Sequence, residues 1–146
     1  MKQFLSFLKD FRPRKGYDGK VSDLLDADLR DIPPQEGVYI ITSDTTKFIY
    51  PKGTSRVIYI GKADSIRRRL KEHQHHLRLA YDTPEMEDDW RFDRYNYMKY
   101  HGAQVVYYLS LGNQESKNLE SDILLRFYDK FGAMPVGNGA RSFHKE

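Results

Sequence analysis

The sequence has no cysteine among its 146 residues, so disulfide bonds, thiolate zinc sites and thiol nucleophiles are excluded. This absence agrees with a reducing compartment. No apolar run approaches the ~20 residues that span a bilayer, and residues 1–10 hold too short an apolar stretch for a secretory signal. We therefore expect an intracellular protein, of the cytoplasm, nucleoid or nucleus, that has no membrane partner.

An excess of charge of one sign is also lacking, because 24 Lys and Arg residues face 21 Asp and Glu residues and the net charge is only +3. This balance permits a nucleic-acid partner without requiring one. Basic residues nevertheless crowd the segment 67–78, and acidic residues crowd 85–89. In the basic segment Arg67, Arg68 and Lys71 are candidates for binding a phosphate backbone, and solvated surface charge is the alternative interpretation.

The hydrophobic and charged fractions, 39% and 31%, are those of one globular domain at this length. Strand-forming runs lie at 38–41, 57–60 and 104–111. Apolar residues recur at helical spacing in 65–80 and again in 116–131, where Gly132 is the expected helix end. The order β-β-α-β-α predicts an α/β (α+β) fold, in which a small three-stranded antiparallel sheet is flanked by helices.

The first 34 residues predict a short helical extension in front of a main domain at 35–146. Its first apolar positions recur at helical spacing, at Phe4, Leu5, Leu8 and Phe11. Ser22 is a candidate N-cap for a second short helix that ends before Pro33. The apolar face of this extension is expected to pack on the core of its own chain, and a partner helix or a second copy of the chain is the alternative.

Two charged residues fall at the apolar faces of predicted helices. Arg69 lies at the rim of one apolar stripe, where its guanidinium is positioned to bind a phosphate through two hydrogen bonds, and a salt bridge is the alternative. Glu120 lies near the centre of the other stripe, and a buried carboxylate needs a cation or an arginine beside it. Mg²⁺ fits such a site, because one carboxylate, water and phosphate oxygens suffice as ligands. Stabilisation in the first helical turn is the alternative for Glu120.

Aromatic residues supply the remaining candidates. Tyr39 and Tyr59 occupy similar positions in two strands, each near a glycine, and are either core rings or hydroxyl groups of a site. The segment 90–100 interleaves aromatic rings with basic side chains. Arg91 and Arg94 in this segment are candidates for a platform on which nucleic-acid bases stack, and packing in the core and at its rim is the alternative.

An ordered set of short motifs runs through the chain. It consists of Gly37-Val38-Tyr39, Tyr59-Ile60-Gly61-Lys62-Ala63, Arg69-Leu70 with His73, Lys99-Tyr100-His101-Gly102, Leu119-Glu120 and Pro135-Val136-Gly137-Asn138. The set resembles the GIY-YIG nuclease superfamily from about Gly37 to Asn138. This resemblance implies an endonuclease that hydrolyses DNA with a single Mg²⁺ or Mn²⁺. It further implies that Glu120 ligates the metal and that Arg69 stabilises the scissile phosphate.

The resemblance also assigns roles to five other residues. It implies that Tyr39 orients or deprotonates the attacking water, that Tyr59 lines the same pocket, and that Lys62 and His73 support it. Asn138 matches an asparagine that braces the site. Because a tyrosine begins with a pKa near ~10, nearby cations are expected to lower the pKa of Tyr39. A module of the same fold that binds nucleic acid or protein without cleavage is the alternative function.

Four points stay open at this level. The connection 43–55 is longer than the compact family pattern and is a candidate for a DNA-contacting or regulatory loop. Glu115, one helical turn before Glu120, is an alternative carboxylate. The oligomeric state is unknown and a dimer is compatible with the sequence. No second DNA-binding domain is visible, so a targeting partner protein is expected to contribute to specificity.

Overall fold

The computed structural model describes residues 2–138, with side chains from residue 5 onward. The strands of this region are β1 (Asp18–Val21), β2 (Gly37–Thr42), β3 (Phe48–Tyr50), β4 (Gly53–Ser55), β5 (Val57–Ala63) and β6 (Gln104–Leu109). Its α-helices are α1 (Ile66–Asp82), α2 (Asp93–His101) and α3 (Asn113–Phe131). Three short 3-10 segments lie at Lys2–Leu8, Pro84–Asp88 and Trp90–Phe92. Among the described residues, no helix combines the length and the apolar character needed to cross a membrane.

The main sheet is antiparallel with the strand order β1-β6-β2-β5, which leaves β5 at an edge. The predicted antiparallel sheet flanked by helices is confirmed, with four strands in place of three. The additional strand β1, Asp-Gly-Lys-Val, carries one apolar residue and therefore gives no strand pattern in the sequence. Gly19 allows it to pair closely, because a Cβ at this position would lie 2.2 Å from the Tyr107 hydroxyl oxygen.

The sheet has an apolar core on each face, because successive residues of β2 point to opposite sides. The face covered by α1 and α2 buries Tyr39 and Ile41, whereas the face covered by α3 and the first 3-10 helix buries Val38 and Ile40. β2 is buried along its whole length. It therefore holds both cores in register, and β5 beside it inherits the same two-sided arrangement.

The prediction of a second helix in the N-terminal segment is wrong. Residues 22–29 form turns, although Leu24 and Leu29 are buried. The side-chain amide of Gln74, on α1, donates to the carbonyls of Leu24 and Ala27 at 2.9 Å each, so backbone groups that a helix would pair internally are satisfied from outside.

The start of the chain does form a short helix. Phe7 and Leu8 are buried in the core beside α3, which agrees with packing on the chain's own core. Phe4 lies outside the described side chains, and the domain boundary at 34/35 stays a prediction.

Both long predicted helices are confirmed. α1 begins at the N-cap Ser65, whose hydroxyl accepts the backbone N–H of Arg68, and its predicted apolar face is buried. α3 ends at Gly132, which adopts a left-handed φ of 81°. The prediction omitted α2, because its aromatic and basic residues alternate without a clear helical stripe.

The long connection between β2 and β5 contains the hairpin β3–β4. Tyr50 anchors this hairpin, since its hydroxyl accepts from the backbone N–H of Val136 at 3.1 Å and donates to the carbonyl of Val57 at 3.2 Å. Ile49, the middle residue of β3, is 88% exposed. The hairpin is thus anchored next to its turn while Ile49 faces solvent, and a role in contacting DNA stays a prediction.

Candidate active site

A chain of hydrogen bonds connects β2, α1 and α2 beneath one face of the sheet. The Tyr39 hydroxyl oxygen lies 2.6 Å from Nε2 of His73, and Nδ1 of the same ring lies 2.9 Å from the Tyr95 hydroxyl oxygen. The Nε of Arg69 donates to the Tyr39 hydroxyl at 3.3 Å. We call Tyr39, Arg69, His73 and Tyr95 the buried network. Three of its residues, Tyr39, Arg69 and His73, belong to the sequence motifs, whereas Tyr95 does not.

The rings at the centre of this network are closed to solvent. Tyr39 and His73 are both 0% exposed. Burial, and then the charges of Arg69 and Arg94, hold the pKa of His73 well below its usual range, so the imidazole is neutral. A neutral imidazole donates through one nitrogen and accepts through the other, so the Tyr39 and Tyr95 hydroxyls take opposite roles. A proton moved at one tyrosine therefore changes the hydrogen bond at the other.

The prediction that nearby cations lower the pKa of Tyr39 below its ordinary value is wrong. Burial raises the pKa of Tyr39 well above 10, and Tyr59 adds to this, while Arg69 acts in the expected direction without offsetting burial. Lys62 does not act on Tyr39 because its side chain lies on the other face: Lys62 pairs with Val38 across β2 and β5. The phenol of Tyr39 is therefore protonated at neutral pH.

Arg69 lies at the rim of α1, as predicted from its helical position. Besides its contact with Tyr39, its Nη1 donates to Glu72 at 2.9 Å, and both side chains of this ion pair are partly exposed, at 37% and 45%. Arg69 therefore has both predicted features, a guanidinium held in position at the rim of α1 and a salt bridge. The Tyr39 hydroxyl binds one edge of the guanidinium, and the carboxylate of Glu72 binds another. An ion pair this exposed contributes little to stability, so an anion can replace Glu72 at low cost.

The other basic candidates on α1 are placed differently. Arg67 is partly buried and its Nε donates to the carbonyl of Ile32 at 2.6 Å, so it ties α1 to the preceding loop. Arg68 and Lys71 are exposed. Of the three, only Arg68 and Lys71 have the exposure that a contact with a DNA backbone requires without rearrangement.

The absence of a side chain at Gly61 leaves room for the rings of Tyr39 and Tyr59. A Cβ at this position would lie 2.7 Å from Cε2 of Tyr59, 2.8 Å from the Tyr39 hydroxyl oxygen and 2.9 Å from Tyr39 Cζ. The rings of Tyr39 and Tyr59 are 5.9 Å apart, and Tyr59 is only partly buried. The Tyr39 hydroxyl therefore lies against the backbone of Gly61. Tyr59 lies between the buried network and solvent.

The outer edge of β5 carries the remaining candidates. The Asn138 side chain pairs with both backbone groups of Ile60, accepting its N–H at 3.0 Å and donating to its carbonyl at 2.9 Å. Two residues further along the strand, Lys62 lies close enough to the Glu120 carboxylate for its charge and its backbone N–H to act on the pKa of that group. We call Lys62, Glu120 and Asn138 the edge group. The placement of Asn138 agrees with a bracing role, because it fixes the strand between Tyr59 and Gly61.

Glu120 lies on the buried stripe of α3, between the buried Ser116 and Ile123, but is only half-buried. Burial raises its pKa, and the charge and backbone N–H of Lys62 only partly counter this. A carboxylate in this state is stabilised by a further cation. The alternative carboxylate Glu115 is already paired with Arg14.

The described residues contain no cluster of three or more His, Asp or Glu side chains that resembles a metal cage. Glu120 alone nevertheless fits Mg²⁺ or Mn²⁺, because these ions bind through one or two carboxylates and complete their shell with water and phosphate oxygens. The incomplete neutralisation of Glu120 is the feature that an ion would correct.

The aromatic segment divides between core and surface. Tyr95 is buried, whereas Trp90 and Tyr100 are about 60% exposed, at 61% and 60%. Arg91 is exposed and paired with Asp89 at 2.7 Å. The segment therefore does not form one continuous stacking surface, and the core interpretation describes its central residues.

The structure thus gathers the predicted residues in two places about one strand. Tyr39, Tyr59, Arg69 and His73 meet on one face, and the edge group lies along the free edge of β5. Sequence reasoning missed Tyr95 as the second partner of His73, because this contact depends on how α2 packs on α1. No spacing within the sequence signals it.

One comparison with known proteins gives a match. A family model described as the GIY-YIG catalytic domain matches residues 35–110. The matched region contains the buried network and Lys62, and it ends before Glu120 and Asn138. No curated protein and no solved structure matches the chain.

Proposed function

The chain belongs to the GIY-YIG catalytic domain family, as its motifs predict, and we propose that it is a metal-dependent endonuclease that hydrolyses phosphodiester bonds in DNA. The family supports nuclease activity in general terms. The observation that carries the specific proposal is the hydrogen bond from Arg69 to the Tyr39 hydroxyl, which also contacts His73, beside β5, the strand next to Glu120. The substrate, metal and residue roles below are parts of this proposal.

Arg69 is the proposed ligand of the scissile phosphate. Its position is fixed from behind by the Tyr39 hydroxyl, and its only carboxylate partner among the described residues, Glu72, is partly exposed. A phosphate oxygen that replaces Glu72 gains a planar donor already held in place. As charge develops on the phosphoryl oxygens, such a preorganised donor stabilises the transition state more than the ground state.

Tyr39 is proposed to orient the attacking water through this arrangement and not to deprotonate it in the resting state. Its raised pKa and its neutral partner His73 both keep the phenol protonated. Its ring is fully buried and its neighbours Arg69 and Tyr59 are partly exposed, so the water is proposed to reach the hydroxyl between these two side chains. Tyr59 therefore lines the entrance, and His73 holds the direction of the Tyr39 hydroxyl.

Glu120 is the proposed ligand of the divalent cation, either Mg²⁺ or Mn²⁺. When bound, the ion would supply positive charge to the phosphate and a more acidic water. Asn138 holds the strand edge beside the carboxylate through Ile60, and Lys62 adds positive charge next to Glu120. Arg68 and Lys71 are proposed to bind neighbouring phosphates. A dimer and a targeting partner stay predictions, as does the intracellular location.

A module that binds DNA without cutting is the second candidate. The full burial of Tyr39 and the engagement of Arg69 by Glu72 favour it, because both reactive groups are occupied in this arrangement. It shares the binding residues of the first candidate and differs in turnover alone.

Incubation of supercoiled plasmid DNA with Mg²⁺, Mn²⁺ or EDTA tests the proposal. We expect nicking or linearisation with metal only, and a loss of about 10³-fold in rate for Arg69→Ala, the upper range for removing one preorganised donor. Glu120→Gln is expected to be inactive at ordinary metal concentrations. Arg126→Ala, on α3 and in a partly exposed ion pair with Asp122, is the control, and it is expected to cleave normally at saturating DNA.

Wild type that binds DNA but leaves every substrate intact with either metal would establish the non-cleaving module. Cleavage that survives in both Arg69→Ala and Glu120→Gln would instead place the chemistry elsewhere in the chain.

A further inference from the structure

Arg94 stands apart from the other arginines near the site. Its guanidinium carbon lies 4.3 Å from the centroid of the Tyr59 ring, a stacked cation–π contact. Within residues 2–138 this guanidinium has no carboxylate partner and no hydrogen-bond acceptor. By contrast, Arg69 and Arg91 each donate to a nearby carboxylate. Arg94 is also only partly exposed, so its position is set by packing.

Two contacts hold Arg94 at the site. The Tyr59 ring supports the guanidinium, and the side-chain stem lies against Gly137, where an added Cβ would be 3.2 Å from Arg94 Cβ. Gly137 in turn donates its backbone N–H to Ile58 on the outer edge of β5, at 2.7 Å. Arg94 therefore lies between the buried network and the edge group, beside the tyrosine at the entrance.

The charge of Arg94 reaches the same groups as that of Arg69. After burial, Arg69 and Arg94 are the two largest influences that lower the pKa of His73, and Arg94 also acts to lower the pKa of Tyr95. Two guanidinium groups thus act on one buried ring, and among the described residues only Arg69 has a carboxylate beside it. A partly exposed guanidinium with no carboxylate beside it has N–H donors available to an anion.

We propose that Arg94 is a second phosphate-binding arginine, which contacts the DNA backbone at the phosphate held by Arg69 or at the one next to it. This proposal rests on the proposed nuclease function and adds a substrate ligand from α2 to the one from α1. A guanidinium matches a phosphate because its N–H groups form two parallel hydrogen bonds with two oxygens. Stacking on Tyr59 leaves those N–H groups directed outward in the plane of the guanidinium.

Binding of a fluorescein-labelled 20-base-pair DNA duplex, measured by anisotropy in Ca²⁺ at several salt concentrations, tests the proposal without turnover. Arg94→Gln keeps the stem on Tyr59 and Gly137 and removes the charge. We expect the slope of log K against log salt to fall by about 0.9, one phosphate contact. Single-turnover cleavage in Mg²⁺ is expected to fall about 10²-fold.

Two further variants define the result. Arg126→Gln, on α3 and in a partly exposed ion pair with Asp122, is the control and should keep the slope and cleavage rate of wild type. Arg94→Lys keeps the charge and should restore the salt slope while leaving cleavage impaired, because an ammonium lacks the planar pair of donors. Thermal unfolding of each variant separates lost packing from lost phosphate contact, since a packing role leaves the salt slope unchanged.

The outcomes distinguish this proposal from the function on which it rests. An unchanged slope and rate in Arg94→Gln, beside reduced values in Arg69→Ala, would overturn the role of Arg94 alone and leave it as a support for Tyr59. If Arg69→Ala also matches wild type in both measurements, the proposed nuclease site itself is wrong, and the phosphate role of Arg94 is rejected with it.

Discussion

The buried network and the edge group border the same strand, yet they are stabilised in different ways. In the buried network, Tyr39, His73 and Tyr95 satisfy one another through short hydrogen bonds and exclude solvent. In the edge group, Glu120 is half-buried, and its neighbour Lys62 does not fully offset the cost of that burial. The first region is thus complete without a ligand, whereas the second is stabilised further by a cation.

This difference indicates that the two regions have different roles in the proposed reaction. A network with internal partners keeps its geometry when substrate binds, and preorganised geometry is what electrostatic catalysis requires. A carboxylate with an unmet need for positive charge supplies affinity for an ion. β5 joins them, because Gly61 lies against the Tyr39 hydroxyl, the Ile60 backbone hydrogen bonds to Asn138, and Lys62 lies beside Glu120.

Among the variants that keep both Arg69 and Glu120, removing the Tyr39 hydroxyl has the largest expected effect. Tyr39→Phe leaves His73 Nε2 without its partner and frees Arg69, so we expect cleavage to slow by about 10²–10³-fold, within the range for the loss of one preorganised hydrogen-bonding group. Because the pKa of Tyr39 is raised and that of His73 is lowered, neither group ionises between about pH 6.5 and 10.

The pH–rate profile therefore keeps its shape in Tyr39→Phe while its height falls. A limb near neutral pH that is present in wild type and absent in the variant would show an ionised Tyr39, and the protonated network would then be the wrong description.

Gly61→Ala perturbs the contact between the network and the strand. Its Cβ would meet atoms of Tyr59 and Tyr39 at 2.7–2.9 Å, so both rings must move. We expect a loss of about 1–3 kcal/mol in the free energy of unfolding, as for overpacked cores. A displacement near 1 Å should slow cleavage about 10²-fold. Urea unfolding and single-turnover assays measure the two effects, and wild-type values in both would mean that β5 tolerates a side chain here.

Asn138→Ala weakens the edge instead. The variant leaves the buried N–H and carbonyl of Ile60 without side-chain partners, which should cost about 1–3 kcal/mol of stability. Cleavage is expected to fall less, about tenfold, because the buried network stays intact. Chemical denaturation gives the first number. A cleavage defect as large as that of Tyr39→Phe, with unchanged stability, would move Asn138 from bracing to direct contact with the substrate.

The smallest expected effect concerns the neutral imidazole. Since the folded-state pKa of His73 is depressed, the unfolded chain takes up a proton below about pH 6.5 that the folded protein resists. The free energy of unfolding should therefore decrease as pH falls, by up to ~1.4 kcal/mol per pH unit from this group.

His73→Gln removes that contribution, so its stability should depend less on pH between 7.5 and 5.5 than that of wild type. Equal pH dependence in urea titrations of the two proteins would indicate an imidazole that is free to protonate.

How far the sequence predicts this arrangement depends on the range of the interactions. Ile66 and Leu70 repeat at helical spacing, so the burial of α1, and with it the rim position of Arg69, follows from local pattern. The strand β1 does not, because Asp18–Val21 has little apolar character and is a strand only through its pairing with β6. Tertiary pairing overrides local preference there.

The same contrast holds within the candidate site. The motifs identify Tyr39, Arg69 and Glu120, and their positions on strands and helices follow from periodicity. The partnership of Tyr95 with His73, and of Arg94 with Tyr59, depends on the packing of α2. That helix has no clear apolar stripe in the sequence, so neither contact is predictable from spacing alone.

The comparison of the two regions is tested most directly by single-turnover DNA cleavage as a function of Mn²⁺ concentration in wild type, Arg69→Ala and Glu120→Asp. Glu120→Asp withdraws the carboxylate by one methylene, so we predict that the metal concentration for half-maximal rate rises, while Arg69→Ala lowers the maximal rate and leaves that midpoint unchanged. A midpoint that shifts in Arg69→Ala and not in Glu120→Asp would contradict the assignment of the metal to the edge group and of the phosphate to the buried network.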